Sequence, residues 1–131
     1  MNLFSYGSLE FAEVMRAVTG RSFAHEPARL FGWRRVRFRG RPYPGIEPCA
    51  RATVAGTLWR GIDAASAARL DAFEGAAYAR VQLPVRAGGA DRAADVYVVC
   101  EDSRPLLSDE PWDKAAFARE SLARFLRALA R

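Results

Sequence analysis

The chain is short of the side chains that serve most nucleophilic and metal-dependent enzymes. It has one histidine, His25, and two cysteines, Cys49 and Cys100. A Ser-His-Asp or Cys-His mechanism would have to run through His25, which stands beside Glu26-Pro27 at an expected loop or strand start. Repeated histidine ligands are excluded, and neither an HExxH motif nor paired cysteines occur, so no metal is expected. The cysteines lack CxxC spacing. Two reduced thiols are expected, with Cys100 in a strand core. No apolar run is long enough to span a bilayer, which argues against a membrane partner. The stretch Met1–Tyr6 lacks the basic start and apolar core of a secretion signal, and this predicts a cytoplasmic protein.

Lysine is also scarce. Lys114 is the single one, so the formal net charge of +5 comes almost entirely from arginine. Such a balance could attract nucleic acid or an anionic small molecule, or simply reflect an arginine-rich composition. We favour the second reading and expect no nucleic-acid partner. What remains for chemistry is carboxylates, tyrosines and backbone amides. The length of 131 residues fits one domain with a single core, and 50% hydrophobic content fits a folded one.

Asn2 to Tyr6 reads as a short apolar strand. Gly7-Ser8 follows as a turn, with Ser8 a fitting N-cap. Phe11, Val14, Met15 and Val18 recur at helical spacing, and Gly20 ends that helix. Ala28 to Arg39 reads as a long strand whose apolar parity changes near Arg34, which predicts a bulge or bend. Arg41 to Pro48 is turn chemistry and is not expected in a central strand. Ala52 to Ile62 is strand-like, and Asp63 is a suitable N-cap for a helix through Leu70 to Phe73. Tyr78–Val85 and Ala94–Cys100 read as an antiparallel hairpin joined by residues 87–92. Asp109-Glu110-Pro111 opens a last helix with the stripe Ala118, Leu122, Phe125, Leu126 and Leu129, and Arg124, Arg127 and Arg131 suit its dipole. The order β-α-β-β-α-β-β-α predicts an α+β domain over residues 1–131, a curved and largely antiparallel sheet with helices packed on it.

Five places could carry chemistry. Glu74 lies four residues after Leu70 and seven after Ala67, so it shares their face at a helix end stopped by Gly75. A carboxylate on an apolar face costs free energy unless something there uses it. Glu74 reads equally well as a solvated partner of Arg80 or Arg69. Tyr6-Gly7-Ser8-Leu9 joins a strand to a helix, where free N–H groups and a glycine suit a bound carboxylate. Without the GKS or GKT of a P-loop, it does not suit a triphosphate. Taken alone it is an ordinary turn. Tyr78 is an orienting hydroxyl or a core residue. Tyr43-Pro44-Gly45-Ile46 is a lid or a rigid surface turn. The Arg35, Arg37 and Arg39 face reads as the solvated side of a strand.

Together the segments resemble the gamma-glutamylcyclotransferase superfamily, in particular its branch of gamma-glutamylamine cyclotransferase-like and avirulence-induced-gene-like proteins. The resemblance rests on Tyr6-Gly7-Ser8-Leu9, Leu30-Phe31-Gly32-Trp33-Arg34, Tyr43-Pro44-Gly45, Val54-Ala55-Gly56-Thr57-Leu58, Leu70-Asp71-Ala72-Phe73-Glu74-Gly75 with Tyr78 and Arg80, and Val96-Tyr97-Val98, in that order. It implies a small β-barrel-like α+β fold with a pocket at one side and no cofactor. It further implies that Tyr6, Gly7, Ser8 and Leu9, with Tyr78, bind the glutamyl head and that Glu74 is the catalytic acid/base. The partner would be a small gamma-glutamyl compound. The reaction would release 5-oxoproline and a free amine or amino acid. The alternative is a non-catalytic ligand-binding or regulatory module on the same fold.

Overall fold

In the computed structural model, which describes residues 1–130, strand β1 (Leu3–Ser5) sits at the centre of the architecture. All three of its residues are buried, Leu3 and Phe4 as apolar side chains and Ser5 with its hydroxyl accepting from the Trp59 indole N–H at 2.8 Å. It pairs antiparallel with β3 (Pro44–Trp59) and parallel with β5 (Ala90–Val99). β5 pairs with β4 (Tyr78–Ala87), β4 touches β2 (His25–Phe38), and β2 pairs along most of β3. These five strands close a small mixed barrel. A sixth, β6 (Leu107–Pro111), adds to β2 outside that ring.

Alternation along the strands divides the interior. Phe4, Leu30, Val54, Leu58, Val85 and Val96 fill the barrel. Their neighbours Leu3, Trp59 and Tyr97 point the other way. They meet Val14 and Met15 of helix α1 (Ala12–Thr19) and Leu70 of helix α2 (Ala64–Glu74). Helices α3 (Lys114–Glu120) and α4 (Leu122–Leu129) close the second core from outside, with Leu122, Phe125, Leu126 and Leu129 packed on it. None of these helices is long and apolar enough to cross a membrane.

Several local expectations are met. Gly20 ends α1 in the left-handed region at φ 74°, and the Asp63 carboxylate caps α2 by accepting from the Ser66 amide. The irregularity in β2 lies between Phe31 and Trp33, where Gly32 has φ 86°.

Others are corrected. Ser8 does not cap α1. It opens a short 3-10 turn (Ser8–Glu10), and Phe11 stands at the cap position without a side-chain bond. Pro44 to Pro48, expected as a turn, belong to β3 and pair with Arg37 to Trp33. Proline lacks an amide donor, and here one begins the strand while the other faces the irregularity in β2. The β4–β5 hairpin closes in two residues, Gly88 and Gly89, with φ 59° and 77°. Residues 109–111 are strand, and the last helix starts only after the Asp113 cap and breaks at Ser121. Phe117 rather than Ala118 is buried there. Cys100 lies just past β5 and is half-buried. Arg131 lies outside the described residues.

Candidate active site

The end of β1 and the end of α2 meet around one hollow. Beyond Ser5 the chain leaves the barrel through Tyr6 and Gly7 and tightens into the 3-10 turn. The turn is closed by Glu10 N–H donating to the Gly7 carbonyl at 3.0 Å and Phe11 N–H to that of Ser8 at 3.2 Å. The amides of Gly7, Ser8 and Leu9 donate to no acceptor among the described residues. Gly7 is needed for a close approach, since a Cβ there would stand 2.9 Å from the Pro44 ring.

Across the hollow, Leu70 is fully buried and fixes the rotation of α2. One turn later the same face presents Glu74. The next residue, Gly75, has φ 79° and releases the chain towards β4, where Tyr78 returns to the hollow. Together these segments line a cavity of about 130 Å³ that includes Tyr6, Gly7, Ser8, Leu9, Glu74 and Tyr78. All six residues singled out from the sequence therefore share one cavity. Their chemical roles are a separate matter.

Glu74 has no hydrogen bond and no ion pair among the described residues, and burial pushes its carboxyl up to about 8. The expected pairing with Arg80 does not form. Arg80 instead spans Asp71 at 2.9 Å and Asp95 at 2.6 Å. Asp71 also accepts from the Tyr97 hydroxyl at 2.7 Å. The Arg80 bonds, with that from Tyr97, hold the Asp71 carboxyl below its usual range. Two carboxylates on one helix thus have opposite environments, one held charged by partners and the other proton-binding near neutral pH.

The tyrosines are held as phenols. Tyr6 donates to the Tyr97 carbonyl at 2.5 Å and Tyr78 to that of Pro44 at 2.7 Å. Burial raises both hydroxyls well above their ordinary value, and the neighbouring Glu74 charge adds to it. The Tyr78 bond ties the start of β3 to the site. With Pro44 to Ile46 buried in the sheet, this segment is a fixed wall and not a surface turn.

Sequence reasoning missed several lining residues: Phe4, Ser5, Tyr97, and the facing pair Phe73 and Phe125. Tyr97 was visible only as part of a strand. Its parity, opposite to Val96 and Val98, was the available signal. Arg35 was also misread as solvated. It is half-buried and donates to the Tyr6 carbonyl at 2.8 Å. No cluster of three or more histidine, cysteine or acidic residues suited to a metal occurs among the described residues.

Residues 3–114 match the family described as "Gamma-glutamyl cyclotransferase, AIG2-like". Two relatives from Arabidopsis thaliana, AIG2-like proteins A and C, are 34% and 38% identical over 84 residues. That alignment takes in 64% of this chain and 51% and 49% of theirs, so the chain spans about half the length of these curated relatives. The solution structure of the Arabidopsis protein At5g39720.1 superposes with a TM-score of 0.75 at 28% identity, covering 97% of this chain and 86% of the other. A solved gamma-glutamyl cyclotransferase superposes at 0.67 and 15% identity, covering 99% and 86%, a likeness of fold.

Proposed function

This chain belongs to the gamma-glutamyl cyclotransferase, AIG2-like family, and on that premise we propose that it releases 5-oxoproline and an amine or amino acid from a gamma-glutamyl amide. The observation that carries the proposal is Glu74, a carboxyl without partners among the described residues, in a cavity shared with three backbone amides that donate to none of them.

The chemistry asks little of the protein. The substrate's α-amine attacks its own γ-carbonyl carbon, so nucleophile and electrophile arrive tethered. Holding the glutamyl chain folded towards a five-membered ring removes much of the entropic barrier. The α-ammonium must first lose a proton. Glu74, with its carboxyl raised to about 8, is a strong enough base to take that proton and an acid able to return it to the leaving nitrogen. The C–N bond to the amine then breaks as the tetrahedral intermediate collapses, and the ring nitrogen releases its one remaining surplus proton to water, leaving the lactam N–H. The amides of Gly7, Ser8 and Leu9 hold the α-carboxylate or the developing oxyanion. Tyr6 and Tyr78, held as donors to backbone, shape the walls around the folded chain. In this reading the chain works as a single domain in the cytoplasm, without a cofactor.

The experiment is Glu74→Gln, assayed for 5-oxoproline across a panel of gamma-glutamyl compounds. A folded variant should lose about 10²- to 10⁴-fold in turnover, the range for a general acid/base. An unchanged rate removes Glu74 from the mechanism. A wild type that binds the compounds but never turns them over favours a ligand-binding module on this fold.

A further inference from the structure

Glu10 is a buried carboxylate that the proposed reaction does not use. Its side chain is 6% exposed, and its Oε2 has no hydrogen bond among the described residues. Its Oε1 accepts from the Thr57 hydroxyl at 3.2 Å and lies 3.7 Å from Nζ of Lys114, the only lysine of the chain. Its Oε2 lies 3.6 Å from Nη1 of Arg35. That same Nη1 donates to the Tyr6 carbonyl at 2.8 Å and to that of Ala55 at 3.2 Å. The Arg35 guanidinium lies over the Trp112 ring at 5.2 Å, and the Lys114 ammonium lies over Phe11 at the same distance.

These contacts share one object. Tyr6 opens the segment that carries the free amides, two residues before the 3-10 turn begins, and Glu10 is the last residue of that turn. Arg35 reaches both ends from β2. A buried ion pair is a weak source of stability, but it fixes geometry when each partner has further bonds. We propose that Arg35 and Glu10 are positioning residues that clamp the two ends of the Tyr6–Glu10 segment and so set where its amides point. Lys114 and Trp112 tie the clamp to the start of α3. The functional consequence rests on the reading of that turn as the glutamyl-binding element.

The test uses the full chain with Arg35→Met, and with Glu10→Gln and Arg35→Met combined, which removes both charges and leaves none buried alone. Hydrogen exchange by NMR follows the amides of residues 10 and 11, whose bonds close the turn. In both variants these amides exchange faster while those of the barrel strands do not change. In parallel, turnover of gamma-glutamyl-ethylamide shows KM raised about tenfold with kcat within about twofold, the signature of a displaced binding element. Unchanged exchange at residues 10 and 11 overturns the clamp. So does a uniform acceleration at every amide, which marks general destabilisation, or an unchanged KM in an active enzyme. If the turn loosens as expected but the wild type turns over no gamma-glutamyl compound, the clamp stands and the cyclotransferase reading falls.

Discussion

The raised proton affinity of Glu74 should be readable as stability. In the unfolded chain its carboxyl titrates near 4.5, and in the folded protein near 8. Between those values the native state holds a proton that the unfolded state has released. The stability from the neutral carboxyl is therefore fully present below pH 4.5 and is lost as pH rises through about 8. At about 1.4 kcal/mol per pH unit the gap amounts to roughly 5 kcal/mol above pH 8, and about 3 kcal/mol at pH 7. Glu74 is half-buried, and solvent screening brings the value at pH 7 nearer to about 2 kcal/mol. Glu74→Gln keeps the shape and abolishes the titration. For a chain of this size, about 2 kcal/mol corresponds to roughly 6–10 °C in Tm. Thermal unfolding of both proteins, followed by circular dichroism from about pH 5 to about pH 9, should show the variant gaining on the wild type by that amount at neutral pH. Groups common to both proteins cancel in the difference. Parallel curves across that window would refute the assignment, since they would mean that Glu74 ionises alike in the folded and unfolded chain.

Three further outcomes follow from the contacts around the site. Tyr78→Phe removes the donor to the Pro44 carbonyl and should cost about 1–2 kcal/mol in chemical denaturation, with KM affected through the displaced wall. Gly7→Ala puts a methyl 2.9 Å from the Pro44 ring. It should cost about 1–3 kcal/mol by crowding and raise KM, whereas alanine at the open position Gly61 should disturb stability through its φ of 71° without changing KM. Asp63→Ala removes the cap of α2 and should lower stability by about 1 kcal/mol, with fraying at the far end from Glu74 and little change in turnover.

The parts of the fold readable in sequence were those governed by neighbours along the chain. Period-2 alternation in β2, helical spacing in α1, the Asp63 cap and the Gly75 stop depend on a few consecutive residues. So does the arrival of Glu74 on the Leu70 face. The errors had the opposite origin. Proline made residues 44–48 look like a turn because it lacks a donor, but the strand end and the irregularity in β2 accommodate it. Arg35 looked solvated from its alternation with Val36, yet its long stem reaches the Tyr6 carbonyl and Glu10. Residues 109–111 looked like a helix start until β2 offered them an edge to pair with.

The sequence by itself determined most of the elements, the α+β class, and the small set of residues around which a site could be built. Only the tertiary structure decided that Glu74 stands without partners among the described residues while Asp71, one turn earlier, is held by Arg80 and Tyr97. It alone joined Glu74 to the Gly7–Leu9 amides and set Phe125 against Phe73. The reason is physical: a carboxyl's proton affinity depends on the solvent and charges within a few ångströms, and barrel closure draws those from segments distant in the chain.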